Sequence, residues 1–358
     1  MADTRAQSGL TPQQWDDNFF EEYVAEAPFS ILWGEGENAP IQVKTDLTKK
    51  QGDSVTFALV RKLNGDATTG DDVLEGHEEA VDSRSQRVFV DQRRHAVRVS
   101  VMEEQKSAIG LRNAGKSMLK TWTEEDTRDR IIAALHSKNG KAYGSASEAE
   151  KDAWLADNAD RALFGAAKAN NSGNDHSASL ANIDGTTDVL KRGSISLMKR
   201  MAGLANPKIR PIRDPGNGKR VYVAYAHPFT FRDLRADMEG VLDDTTAAGE
   251  ALRLFEGGDL LWDNIIIKEL EEMPLLTGVG ASNIDVAPVF FVGAQCIGNA
   301  VASRWSTKTR DFDYGNKHGI AMAAIDGWEK LRFGTGENDT DDTKDAGLLT
   351  GYFAAVAD

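Results

Sequence analysis

Alternation of apolar and polar residues is the clearest signal along this chain, and it is concentrated between residues 52 and 101. Val55, Phe57 and Leu59 alternate with Ser54, Thr56 and Ala58, and Val97, Val99 and Val101 alternate with Ala96, Arg98 and Ser100. A period of two marks half-buried β structure, so two strands are predicted with a long loop between them. A two-stranded ribbon has one face to hide, is barely stable alone in water, and exposes unpaired backbone groups along its edges. A ribbon this long is therefore expected to lie against another surface, and a neighbouring copy of the chain is the expected one.

After the ribbon the period changes. Leu111, Gly115, Met118 and Trp122 step by four, three and four, and Ile131, Ile132 and Leu135 resume the apolar face, which predicts a long helix over 102–136. Thr123 followed by Glu124, Glu125 and Asp126 has the composition of a fresh helix start, so a break is expected there. Residues 148–167 and 190–204 predict further helices, the second closed by Asn206-Pro207. The segment 170–184, rich in Asn, Ser and Gly, reads as a surface loop. Strands are predicted over 220–226, 264–270, 287–292, 320–333 and 348–356, with a short helix over 231–238. Prolines and glycines between Pro207 and Gly218 mark a domain junction. The order of elements is mixed α+β and lacks the regular alternation of a doubly wound sheet. Near the start, Trp15, Phe19 and Tyr23 recur at four-residue spacing, the stripe of a short amphipathic helix anchoring an arm, and residues 40–50 read as extended.

Composition narrows the class. A length of 358 residues with 41% hydrophobic positions supports two or three compact units. The longest apolar runs, such as Val286 to Val292, fall far short of the roughly 20 residues that span a bilayer. No charged-then-apolar leader opens the sequence, so neither secretion nor membrane insertion is expected. Cys296 is the single cysteine, expected to be a buried small hydrophobe in a reducing environment.

The net charge of −14 excludes a protein whose main task is to coat nucleic acid, which needs an electropositive footprint. That charge is unevenly spread. Residues 64–85 hold Asp66, Asp71, Asp72, Glu75, Glu78, Glu79 and Asp82 against Arg84 alone, whereas 186–220 is strongly basic. The acidic ribbon loop is expected to dock on the basic stretch of an adjacent copy, with Lys191, Arg192, Lys199 and Arg200 receiving it. Two alternatives stay open: the basic residues face DNA, or they merely solvate a helix.

Candidate catalytic motifs fail on context. Gly110 to Ser117 matches the phosphate-cradling G-x-x-x-x-G-K-S pattern, which works only where a buried strand delivers it and a helix begins at its lysine. Here the preceding residues are charged and helical, and Gly115 is expected to serve close packing inside a helix. His77, His95, His136, His176, His227 and His318 share no metal-ligand spacing. Asp339, Asp341, Asp342 and Asp345 lack the glycine and glutamate of an EF-hand and read as a solvated turn. No enzyme activity, cofactor or metal is expected.

The chain resembles the major capsid proteins of N-four-type podophages, which adopt the Hong Kong 97-type coat fold. The stretches that carry the resemblance run in order along the chain. They are Ile31-Leu-Trp-Gly, Asp46-Leu-Thr-Lys-Lys-Gln-Gly-Asp-Ser-Val-Thr-Phe, Leu74-Glu-Gly-His-Glu-Glu, Val90-Asp-Gln-Arg-Arg-His-Ala-Val, Val221-Tyr-Val-Ala-Tyr-Ala-His-Pro, Asp233-Leu-Arg-Ala-Asp, Val292-Gly-Ala-Gln-Cys and Asp313-Tyr-Gly-Asn. The resemblance implies an N-terminal arm over 1–50, an extended β-hairpin loop over 51–101, and a peripheral domain with a spine helix over 102–214. An axial domain over 215–358 completes it, with C-terminal strands partly returning to the peripheral domain. It further implies a shell of hexamers and pentamers around packaged double-stranded DNA, assembled in the host cytoplasm without a reaction of its own. Scaffolding, portal and decoration proteins are the other implied partners. No long segment precedes the arm, so a separate scaffold is expected. An encapsulin-like cargo compartment and a P-loop ATPase using Gly110 to Ser117 are the alternatives.

Overall fold

The computed structural model describes residues 29, 32–48, 51–63, 65–70, 73–107, 111–213, 220–248, 255–256 and 259–356. Two sheets share one spine. The first sheet is assembled from distant parts of the chain. Strands β1 (Trp33–Gly34) and β2 (Ile41–Lys44) pair in parallel, and β2 continues in parallel onto a long strand, Ile297–Phe312. That strand pairs antiparallel with Lys317–Lys330, which in turn pairs with Asp91–Ser100.

Between β2 and Asp91 runs the ribbon, β3 (Ser54–Val60) paired antiparallel with β4 (Ser83–Phe89), Val55 opposite Val88 and Phe57 opposite Gln86. The strand predicted around Val97 and Val99 exists as β5 (Asp91–Ser100), but it is not the ribbon's partner. Register explains the correction: Ile320, on the neighbouring strand of the first sheet, offers an apolar row that matches Val97, whereas β4 has only Val88 as an inward apolar residue. Its other inward residues, Arg84 and Gln86, are buried polar groups satisfied elsewhere on the same chain.

After a short helix α1 (Val101–Lys106), helix α2 (Leu111–His136) runs unbroken for 26 residues. The break expected at Thr123 is absent; Thr123 is buried, and its hydroxyl donates to the Lys120 carbonyl inside the helix. The first half of α2 packs Leu119 and Trp122 on Trp305, Ile320 and Met322 of the first sheet. Gly115 sits where a Cβ would approach Val97 Cγ1 to 3.0 Å, so its lack of a side chain lets the helix lie close on β5. Arg93 fixes the same contact, held between Asp326 of the sheet and Asp126 of the helix.

The second half of α2 crosses onto the larger sheet. The chain reaches it through α3 (Glu148–Asp157), strand β6 (Ala162–Phe164), α4 (His176–Ala181) and α5 (Arg192–Leu204). The helix expected over 148–167 therefore ends at Asp157, and the stretch 170–184 is not all loop. Then come β7 (Ile212–Arg213), β8 (Arg220–Ala226), α6 (Pro228–Ala248), β9 (Phe255–Glu256), β10 (Asp259–Trp262), β11 (Ile265–Glu269) and β12 (Val286–Val292). The two long strands of the first sheet are β13 (Ile297–Phe312) and β14 (Lys317–Lys330), followed by β15 (Arg332–Gly334), β16 (Thr343–Asp345) and β17 (Leu348–Ala354).

The larger sheet has the order β6-β17-β12-β8-β11-β10-β9, with β7 on β8. Every residue of β12 and β17 is buried, because both faces of this sheet are covered. On one face Ile195, Met198, Phe231 and Leu234 of α5 and α6 meet Ala224, Phe291 and Phe353. On the other, Ile131, Ile132 and Leu135 of α2, with Phe29, Leu32 and Cys296, meet Val223, Tyr225 and Phe290. Cys296 is buried as expected, and burial pushes its thiol up.

Candidate functional site

Three surfaces bear on function: the ribbon with its loop, the polar hub beneath it, and the charged faces left exposed. The ribbon's base is clamped on its own chain. Val55, Phe57 and Val88 are buried with Ala300, Leu331 and Phe333. At Gly327 of β14 an added Cβ would stand 1.9 Å from the Phe89 carbonyl, so the ribbon backbone crosses directly over that glycine. Arg84 donates to the carbonyls of Gly334 (3.2 Å) and Gly336 (2.6 Å), and Gln86 donates to Lys330 O (3.1 Å) and accepts from Arg332 N (2.6 Å). The expectation that a neighbouring copy covers the ribbon's apolar face is corrected at the base: this chain's own body covers it.

The loop beyond is another matter. Arg61 and Asp82 close the ribbon's end at 2.9 Å, and past them every described residue is exposed up to Val81. Asp66, Glu75, Glu78 and Glu79 lie here, with Glu79 accepting from Gly65 N and Glu78 from Gly76 N. Asp71 and Asp72 fall outside the described residues, as do Trp15, Phe19 and Tyr23. Leu63, Val73, Leu74 and Val81 are all more than half exposed, so the loop carries apolar as well as acidic surface. Sequence reading found the acids but not these apolar residues, which have no periodicity.

The basic segment is only partly available. Arg192 donates from its backbone and guanidinium to Asp237 (2.9 and 3.0 Å), and Lys199 reaches both the carbonyl and carboxylate of Asp263 (2.6 Å each). Lys191 and Arg200 remain exposed. Two of the four residues expected to receive a neighbour's loop are thus engaged by their own chain.

The hub lies where the two sheets meet the end of α2. Lys330 and Asp345 form a buried pair at 2.7 Å. Asp345 also accepts from Trp154 Nε1 (3.1 Å), and Lys330 donates to the Ser137 carbonyl (2.6 Å). Arg161 donates to the carbonyls of Asp345 and Pro207. Asp345 therefore departs from the solvated turn expected of Asp339, Asp341 and Asp342, which are exposed. Lys138 is fully buried with its ammonium position 3.2 Å from the Trp154 ring centroid, and burial pushes its pKa well below the usual range.

Two histidines share this region. His136 stacks on Tyr143 at 4.0 Å, and burial, then the nearby Lys138 and Lys330, pushes it well below the ordinary imidazole value. His176 lies against Tyr143, Trp154, Phe164 and Tyr352, with Glu148 Oε1 3.9 Å from its Nδ1; burial, then Lys138, lowers it to about 3. Both are neutral when folded and free to protonate when unfolded. The unfolded chain therefore binds more protons as pH drops below about 6.5, and stability is lost from there downward. Each histidine shifts the unfolded-to-folded ratio by up to about tenfold per pH unit. Urea midpoints measured from pH 7 to pH 5 are expected to fall steadily, and the slope to flatten in the His136→Gln/His176→Gln variant.

Among the described residues the glycine-lysine motif shows no strand-to-loop delivery of the kind that cradles phosphate. Leu111 to Ser117 lie inside α2, so the amides of Gly115, Lys116 and Ser117 belong to the helix ladder, and among the described residues no strand runs into the start of α2. Glu148, Asp152 and Asp175 bring ligand atoms within 4.8 Å of one another, but Asp152 and Asp175 already accept backbone amides of α4. Among the described residues no helix is long and apolar enough to cross a membrane.

A ribbon clamped at its base with an exposed acidic loop and a spine helix bridging two sheets are the features of a coat-forming protein of the Hong Kong 97-type fold. The family described as phage capsid protein matches residues 3–357, and the chain belongs to that family. It is 29% identical, over 97% of its length and 96% of the relative's, to the major capsid protein of Pseudomonas phage KPP25. Among solved structures it is similar to the capsid asymmetric unit of cyanophage Pam1, at 28% identity over 100% of both chains with a TM-score of 0.81. It is also similar to the capsid of Ralstonia phage GP4, at 25% identity over 92% of both chains with a TM-score of 0.73. Its role is that of a structural component of the phage virion.

Proposed function

We propose that the chain builds a closed icosahedral head of hexamers and pentamers around double-stranded DNA, assembled in the host cytoplasm, with no reaction of its own. The observation that carries this reading is the loop of 62–81, whose described residues are all exposed, acidic and apolar together, on a ribbon whose base is fastened to the body. Apolar surface exposed on a projecting loop marks a site where a partner binds, and repeated moderate contacts suffice when each copy is held by several neighbours.

In this reading residues 1–50 form an arm, 51–101 the extended loop, 102–214 a peripheral domain and 215–358 an axial domain, with β13 and β14 returning to the peripheral part. Trp15, Phe19 and Tyr23 of the arm and Asp66, Asp71, Asp72, Glu75, Glu78 and Glu79 of the loop contact neighbouring copies. Lys191 and Arg200 add exposed charge to such contacts, and Arg192 and Lys199 would join them only by exchanging their present partners. Scaffolding, portal and decoration proteins act as separate chains. DNA is enclosed without sequence-specific contact, since a shell of net negative charge does not trap the genome it encloses.

Nuclease treatment of particles purified from producing cells tests this reading. Protected double-stranded DNA of uniform length is the expected result. Particles filled with a protein cargo and free of DNA would instead favour an encapsulin-like compartment.

A further inference from the structure

Three carboxylates and a buried histidine meet where α4 packs on α3. Glu148 opens α3 and Asp152 follows one turn later, so both stand on one face of that helix, where like charges repel. Asp175 is the N-cap of α4 and His176 its first residue. Packing of the two helices brings one ligand atom from each of Glu148, Asp152 and Asp175 within 4.8 Å of the others. Asp152 accepts the His176 amide through Oδ1 (2.7 Å), and Asp175 accepts the Ala178 amide (2.8 Å) and the Ser177 hydroxyl (3.0 Å) through its own Oδ1. Oδ2 of each is left for a further partner. Lys151, 3.5 Å from Glu148 Oε2, is the one lysine or arginine paired with these three carboxylates among the described residues.

The histidine points to what completes the set. Its side chain is 1% exposed, and Nε2 lies 3.5 Å from the Tyr352 hydroxyl. Nδ1 makes no hydrogen bond among the described residues and faces Glu148 Oε1 at 3.9 Å. With the Nε2 proton toward Tyr352, a nitrogen lone pair and a carboxylate oxygen look at each other across that gap. It is too long for a hydrogen bond, yet a cation with bonds of about 2.0–2.2 Å to each atom spans it. Burial keeps the imidazole in the neutral form that ligates metals. Glu148 and Asp175 are exposed, so their carboxylates can turn inward to close the remaining distances.

We propose that Glu148, Asp152, Asp175 and His176 bind one divalent transition-metal ion, which fastens α3 to α4 and, through the ring held at Tyr352, to β17 of the larger sheet. Three carboxylates alone would suit Ca2+ as well, and the imidazole turns the set toward an ion of the Zn2+ class. The spacing of histidines along the sequence could not show this, because a single histidine takes part and the carboxylates come from two helices. The site belongs to the single chain, so it stands or falls independently of how copies assemble.

The test titrates the full-length chain, stripped with EDTA and then freed of chelator, with Co2+ as a visible probe and Zn2+ in competition. One equivalent of Co2+ is expected to bind with visible absorption, to be displaced by Zn2+, and to raise the melting temperature at saturation, whereas Ca2+ at the same concentration does none of this. Glu148→Gln, at an exposed position, is expected to weaken uptake at least about tenfold and to melt with the metal-free wild-type chain. Asp175→Asn, which keeps an oxygen for the Ala178 amide, is expected to do the same. In His176→Gln the Co2+ absorption changes and the preference over Ca2+ is lost. No uptake by the wild-type chain, or uptake untouched by both carboxylate variants, overturns the proposal. Equal binding of Ca2+ and Co2+ to the wild-type chain would remove the histidine from the site and overturn it too.

Discussion

Asp345→Asn is expected to destabilise the chain by about 3–5 kcal/mol, enough to leave little of it folded at growth temperature. Asp345 is the carboxylate facing Lys330, and it also receives Trp154 Nε1. Neutralising it leaves an interior ammonium with neutral partners alone, such as the Ser137 carbonyl and the new amide oxygen, and the cost is the desolvation of a charge that has lost its counter-charge. The double variant Lys330→Met/Asp345→Leu removes both charges and is expected to recover most of the loss, because apolar groups of similar volume often replace a buried pair without net cost. Thermal melts of Asp345→Asn and of the double variant check this. Equal destabilisation by Asp345→Asn and by the double variant would show that the pair's hydrogen bonds, not its charge balance, hold the junction of the two sheets.

The second large effect is on assembly and not on folding. Joining Arg61 to Asp82 through an Asn-Gly turn in place of residues 62–81 keeps the Arg61–Asp82 closure and the full β3–β4 pairing. The buried base, with Phe57 and Val88, is untouched. The melting temperature is expected to stay within a few degrees of wild type, while closed particles in a sucrose gradient disappear. Particles at wild-type yield would remove the loop from any role between copies.

Continuous apolar runs were legible because both faces of the larger sheet are covered: Val286 to Val292 reads as a buried strand and is one. So was α2, except at Thr123, where tertiary burial overrides a local start signal. β13 was not legible. Its alternation is interrupted by register shifts between Val301 and Ser306, and its distal half is polar on the outward side. The ribbon's true second strand was hidden for a related reason, since Arg84 and Gln86 point inward and are satisfied by backbone groups some 250 residues away.

The site divides the same way. The acidic loop is a run in sequence, so its charge could be counted directly. By contrast, Arg94, Arg98, Lys308, Arg310 and Lys317 fall on one face of the first sheet only through the pairing of β5, β14 and β13. His176 sits in a stretch of Asn, Ser and Gly that looks solvent-facing, yet it is buried against Tyr352. A local composition cannot report a contact made by a strand near the other end of the chain.

The most direct measurement is a cryo-microscopy reconstruction of particles assembled from the purified full-length chain. The expected result is a closed shell in which each copy's loop is ordered against a neighbour. A population that stays monomeric at every concentration and salt condition, with residues 62–81 touching no other copy, would contradict the account.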